Sequence, residues 1–217
     1  MTNPSGSTQY IVGKMFKDEK TAYRAALGLN FGSSTIKNNV YDDQVGVATP
    51  DPNKTVEDSY KQSSNMITLG AGLEKRRGST RLQGYYGGML MINFGGGKNT
   101  YTYGNAMSTT NSSPTSTTNW SSKTSAASAS RTTESKNGST FGLGLNGFIG
   151  AEYFIAPKIS VGAEYWWGVN FSSTGEGSST SETVSAGAVK TTTSKMAGGS
   201  SFGIGNSVSS IMVNFHF

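Results

Sequence analysis

Along residues 138–171, GSTFGLGLNGFIGAEYFIAPKISVGAEYWWGVNF, apolar side chains recur at every second position. Phe141, Leu143, Leu145, Ile149, Ala151, Tyr153 and Ile155 form one phase; Gly142, Gly144, Asn146, Gly150 and Glu152 fill most of the other. After Ala156-Pro157-Lys158 the pattern restarts, with Ile159, Val161, Ala163, Tyr165, Trp167, Val169 and Phe171 set against Ser160, Gly162, Glu164, Gly168 and Asn170. A period of two predicts strands, here with one apolar and partly aromatic face and one face of glycine, amide and carboxylate. Each segment is about twice the length of an ordinary globular strand, and the three-residue link predicts a hairpin.

The same alternation predicts strands over 8–16, 21–33, 63–75, 80–97, 138–155 and 158–173, and a last one within 194–217. On the apolar phase stand Tyr23, Leu27 and Phe31, then Ile67, Leu69 and Leu73, then Leu82, Tyr86, Leu90 and Phe94. Short turns at 17–20, 75–79 and 156–158 alternate with three long polar stretches, about 33–62, 98–137 and 172–195. The first of these carries scattered acids and prolines, which reads as a loop. The second is dominated by Ser, Thr and Asn, too polar to bury a core of its own, and reads as a mobile loop.

Composition narrows the class. Only 34% of the 217 residues are hydrophobic, which suits a sheet that is apolar at alternate positions better than a packed soluble core. The absence of cysteine removes disulfides and thiolate metal sites. The longest apolar run is Met89-Leu90-Met91-Ile92, far short of a membrane-crossing helix. The formal charge of +5 is scattered over turns and loops with no basic stripe, so nucleic acid is not an expected partner. The first residues are polar and lack the apolar centre of a secretory signal, which marks Met1 as a processed, cloned or truncated start for an exported protein.

The regular sorting of short turns from long loops, and a last strand ending Val213-Asn214-Phe215-His216-Phe217, resemble bacterial outer-membrane barrels. Phe215 and Phe217 carry the C-terminal strand signature. The chain is similar to small OmpA/OmpX-type barrels and to the outer-membrane β-barrel family common in Bacteroidota. That resemblance implies an all-β, antiparallel up-and-down transmembrane barrel of eight strands, one domain over 1–217, in the bacterial outer membrane of a Gram-negative envelope. It implies outer-membrane lipid or lipopolysaccharide and other outer-membrane proteins as partners. Tyr23, Tyr86, Tyr153, Tyr165 and Trp167 would form its aromatic girdle. The alternative is a soluble lipocalin-like barrel with the apolar face turned inward.

Candidate chemistry is sparse. Gly142–Gly147 matches G-x-G-x-x-G but lies inside a strand, where dinucleotide binding needs a strand-to-helix turn. Gly199–Gly203 matches G-x-S-x-G, yet the only histidine, His216, belongs at the far end of the last strand from Ser201. The acidic stretch 42–58 lacks the spacing of a calcium loop. No cofactor or metal is expected. The charges that fall on the polar strand phase are Arg24, Glu74, Arg81, Glu152 and Glu164, with Lys14 as a further partner. In a narrow barrel they predict a structural ionic plug rather than an ion path.

The expected role is therefore non-catalytic: a structural or accessory subunit of an outer-membrane complex, with its interior filled. The alternatives are a surface adhesin acting through the long loops and, behind it, a lipid-modifying barrel enzyme. Seven segments are clear where an even number is expected. The eighth strand is sought either by dividing the last segment near Gly205-Asn206-Ser207 or by a strand before Met1.

Overall fold

The computed structural model describes residues 10–78 and 80–216, with the backbone but not the side chains of 206–209. Among them there is no helix. Twelve strands are formed: β1 (Tyr10–Asp18), β2 (Thr21–Tyr41), β3 (Thr55–Arg77), β4 (Leu82–Thr102), β5 (Thr115–Asn119), β6 (Thr124–Ala127), β7 (Ser130–Lys136), β8 (Thr140–Ala156), β9 (Ile159–Thr174), β10 (Gly177–Ser185), β11 (Ala188–Met196) and β12 (Gly199–Phe215). Every pairing is antiparallel.

Seven strands make one wall in the order β1-β2-β3-β4-β8-β9-β12. Their connections alternate in kind. Residues 19–20, 78–81 and 157–158 join them tightly at one end, the short-turn end. Residues 42–54, 103–139 and 175–198 join them at the other, the hairpin end. β2 and β9 are separated by three strands in this order, yet Arg24 of β2 reaches Glu164 of β9 at 2.7 Å. The wall is therefore strongly curled around a common interior, as a twisted sheet of long strands allows. The curl does not close: among the described residues no backbone ladder joins β1 to β12.

The predicted strand phases set the two faces. Outward stand Leu27, Leu29, Leu69, Leu73, Leu90, Phe94, Leu145, Ile149 and their neighbours, all exposed. Inward stand Arg24, Glu74, Tyr85, Met89, Asn146, Phe148, Glu152 and Glu164, all buried. Large apolar side chains thus cover the outer face, while the inner face holds charged and amide groups beside a few rings and Met89.

Three expectations need correction. The expected loops 33–62, 98–137 and 172–195 are largely strand. β2 and β3 stay paired out to Tyr41↔Thr55, leaving only 42–54 as loop. β4 continues to Thr102 and pairs with β7. β10 and β11 form a complete Ser/Thr hairpin on β7. Its turn, Ala186-Gly187, has φ of 52° and 71°, the positive pair that a two-residue type I′ hairpin turn requires. Polarity removed the alternation signal there but not the strands, because Thr is a good strand former and the backbone ladder is satisfied by a neighbour. Second, no turn divides the last segment. β12 runs unbroken against β9, with an extra residue between Asn206 and Ser209. That bulge moves the outward phase from Phe202 and Ile204 to Ile211, Val213 and Phe215. Third, among the described residues the wall has seven strands where eight were expected. Residues 8–9 of the first expected strand, Ser79 and Phe217 lie outside the described residues.

Candidate functional site

The interior phase of the wall brings the expected charges together, with one substitution. Glu74 of β3 is fully buried; Glu152 of β8, Arg24 of β2 and Glu164 of β9 are exposed by 1%, 2% and 3%. Arg24 grips Glu164 with two guanidinium nitrogens, Nη1 to Oε2 at 2.7 Å and Nη2 to Oε1 at 3.3 Å. Arg24 Nη1 also lies 3.5 Å from Glu74 Oε2. Lys14 of β1 sits 3.1 Å from the same Glu74 oxygen and 3.8 Å from Glu152 Oε2.

Arg81 does not take part. It precedes β4 in the 78–81 turn, where its side chain is exposed and its carbonyl accepts the Phe154 amide. Its place is taken by Arg76, expected in a turn. β3 runs through to Arg77, so Arg76 shares the inward phase with Glu74 two residues earlier. Arg76 Nη1 bonds Glu74 Oε1 at 3.1 Å, Nη2 pairs with Glu152, and Nε and Nη2 donate to Gln83 Oε1. The described cluster thus holds three cations, Lys14, Arg24 and Arg76, against three carboxylates, Glu74, Glu152 and Glu164.

Rings and sulfur fill the space beside these charges. Ala26, Tyr85, Met89 and Phe148 form one buried cluster, with Val12, Met91 and Trp166 against it. The Arg24 guanidinium lies over Phe148 at 4.2 Å and faces Trp166 at 5.7 Å; Lys14 lies over Tyr85 at 4.5 Å. Cation–π contacts of this kind gain strength where water is excluded. Phe148 and Trp166 break the glycine-and-polar rhythm of their phase, and that irregularity was the available sequence signal for an aromatic filling. Glycine makes room for it. A Cβ on Gly150 would lie 2.5 Å from Tyr85 Cζ, and one on Gly87 would lie 2.5 Å from Phe148 Cζ.

At the short-turn end, Ser160 Oγ lies 3.1 Å from His216 Nε2 and donates to Glu152 Oε2 at 3.4 Å. Asn214 Nδ2 donates to both Glu152 and Ser160. A serine beside an imidazole invites comparison with a nucleophile–base pair. Here, however, the carboxylate contacts the serine rather than the far side of the imidazole, and Ser160 is fully buried. Ser201 of the G-x-S-x-G match is exposed, and its hydroxyl lies 2.8 Å from that of Ser172. The G-x-G-x-x-G match lies inside β8.

The five expected girdle aromatics all face outward, 43–54% exposed. Following the register, Tyr23, Leu73, Gly88, Gly147 and Trp167 share one ladder row, while Tyr86, Ile149 and Tyr165 share the next. Tyr153 lies four residues nearer the short-turn end on β8. Phe215 is outward and exposed.

The hairpin end has a polar network of its own. Asp58 of β3 is fully buried and accepts from Gly104 N at 2.9 Å, Thr117 N at 2.7 Å and Thr117 Oγ1 at 2.8 Å. Arg131 of β7 donates to Glu182, Ser116 and the Asn105 carbonyl, and stacks on Tyr103 at 4.3 Å. Burial pushes the Tyr103 phenol up to about 12, against the pull of Arg131. Asp42 is held below the usual carboxylate range by the Gln44 amide, then by Lys54. Tyr60 and Tyr101 stack at 4.9 Å beneath Trp120. Both charges, Asp58 and Arg131, lie in stretches expected to be loop, so their burial had no sequence signal. No family model, curated protein or solved structure matches the chain.

Proposed function

We propose that this protein is an outer-membrane β-barrel of non-catalytic role, a structural or accessory subunit whose apolar wall and ordered hairpins hold other envelope proteins. The observation that carries the reading is the inversion of its faces. A charge-balanced ionic cluster and its aromatic filling are buried, while Leu145, Ile149, Leu69 and Leu90 lie 45–63% exposed on the outer wall. Lipid is the solvent in which that arrangement is stable, since it rewards apolar exposure and demands paired interior charges. The filled interior favours a structural plug over a channel. Fractionation of cells carrying an epitope in the exposed Ala186-Gly187 turn tests the reading. The protein is expected in the outer-membrane fraction, with heat-dependent electrophoretic mobility and a stoichiometric companion. Recovery in a soluble fraction would overturn it.

A second reading is favoured by the ordering of the hairpin end. β5, β6, β7, β10 and β11 present a fixed surface rather than a loose loop, which suits an adhesin. A lone barrel that binds cells or matrix, and loses that binding when 177–196 is deleted, would favour it.

A further inference from the structure

Toward the hairpin end, the outward face of the wall changes chemistry within two ladder rows. On β4 the exposed apolar positions run from Leu82 through Tyr86 and Leu90 to Phe94. That is about 40 Å of strand at ~3.3 Å per residue, which a barrel tilt of roughly 40° reduces to ~30 Å, the thickness of a hydrocarbon core. Phe94 ends this band, in one row with Leu29, Ile67 and Phe141, its ring 5.4 Å from that of Phe141. The next outward row is Phe31, Asn65 and Gly96; beyond it comes Ser33, Ser63, Lys98 and Lys136. Gly95-Gly96-Gly97 leaves β4 bare between the ring and the lysines. A Cβ on Gly96 would meet only Asn65 Oδ1, at 3.7 Å, so no neighbour imposes the glycine and the space above it is open. A hollow of about 580 Å³ opens at this level, with Phe31, Ser33, Ser63, Asn65, Lys98 and Lys136 among its lining residues.

A second observation is the charge. Lys98 and Lys136 share one carboxylate, Glu134, at 2.5 Å and 2.9 Å. Lys61, the next outward residue of β3 after Ser63, is exposed and has no ion pair among the described residues. Three lysines therefore face one carboxylate just above the apolar band.

We propose that this row binds the phosphomonoester headgroup of a lipid in the leaflet at the hairpin end. The inference rests on the membrane reading above and names a ligand for one patch of the outer wall. A phosphomonoester carries a charge of about −1.5 to −2 near neutral pH, which matches the excess of the three lysines over Glu134. The Lys98 and Lys136 ammonium groups donate to its oxygens, as does the Asn65 amide at the floor. Ser63 Oγ already donates to the Lys98 carbonyl, at 3.1 Å, and ties β3 to β4 beneath the site. The acyl chains lie on Phe31, Phe94 and Phe141, which are 40–67% exposed. A phosphodiester lipid, with one charge and a further group on its phosphate, satisfies only half of the excess.

The test is native mass spectrometry of the folded protein in uncharged detergent, titrated separately with phosphatidate, phosphatidylglycerol and inorganic phosphate. Phosphatidate is expected to bind most tightly, at one per chain, and to weaken as salt rises. Lys98→Gln combined with Lys136→Gln should weaken it roughly 30-fold, the worth of two lysines at an anionic headgroup. Gly96→Asp, which sets a carboxylate at the floor, should weaken it as well, and it decides the matter if the double variant fails to fold. Lys190→Gln, on the exposed β11, should change nothing. Equal binding of phosphatidylglycerol, equal affinity for inorganic phosphate, or phosphatidate binding that survives these changes overturns the proposal. Any of these results in protein recovered from the outer membrane leaves the barrel reading standing. Recovery in a soluble fraction defeats that reading, and the lipid site with it.

Discussion

Arg24 and Glu164 stand 140 residues apart in the chain and meet in a two-bonded pair with almost no access to water. Removing Glu164 leaves Arg24 buried with only its 3.5 Å contact to Glu74, in a cluster of three cations against two carboxylates, which costs up to about 3–5 kcal/mol. Glu164→Gln is therefore expected to lower stability by that order in denaturant unfolding of the folded protein in detergent. Adding Arg24→Met should recover much of the loss; no recovery would show that the pair is not coupled. Gly150 is constrained differently. A methyl group there meets the Tyr85 ring, so Gly150→Ala is expected to cost about 1–3 kcal/mol through overpacking. Tyr85→Ala in the same protein should relieve the ring contacts but not the 2.7 Å approach to the Ala163 carbonyl oxygen, so only part of the loss is expected to return. On the outer wall, Leu145→Arg separates lipid from water as the surrounding solvent. Near the midplane of a bilayer it costs about 2–4 kcal/mol, whereas on a wetted surface it would be close to neutral.

At the scale of elements, the hairpin end is held by side chains rather than by an apolar core. Asp58 anchors Thr117, at the start of the β5–β6 hairpin, and Gly104 through three bonds. Asp58→Ala strands these donors, at about 1–3 kcal/mol for each one left buried and unpaired. Limited proteolysis should then cut within 115–127 while the wall strands survive. The same end should respond to pH at both extremes. Tyr103 has a raised pKa, so its contribution is complete below the ordinary phenol value near 10 and is lost as pH rises toward about 12. Asp42 has a lowered pKa, so its contribution is present above the ordinary carboxylate value and is lost as pH falls through the lowered one. Phenolate absorbance and proteolysis across pH read the two transitions.

For the whole molecule, a curled wall with a plugged interior predicts no large, stable ion conductance after reconstitution into planar bilayers. Steady large currents would mean that the packing of Tyr85, Met89, Phe148 and the ion pairs opens in lipid. Orientation follows from the two kinds of connection. Under the outer-membrane reading proposed above, the short turns at 19–20, 78–81 and 157–158 would lie on the periplasmic side, and protease added to intact cells should then reach only the hairpin end.

Much of this was legible in the chain itself, because alternation is a local property. A residue's place in the period-two pattern decides its face whatever the strand pairs with, so Arg24, Glu74, Glu152 and Glu164 could be assigned to one face and the five aromatics to the other. The slip from Phe202 and Ile204 to Ile211 and Val213 was also written there, although it marks a bulge rather than a turn. Tertiary structure decided what no local pattern carries. It extended β3 by two residues and so put Arg76 inside and Arg81 outside. It ordered Ser/Thr segments that have no face of their own, because their backbones found partners on β4 and β7. It also left β1 and β12 pointing the same way with no ladder between them among the described residues, since closure depends on the parity of strands around the whole wall, which no single strand encodes.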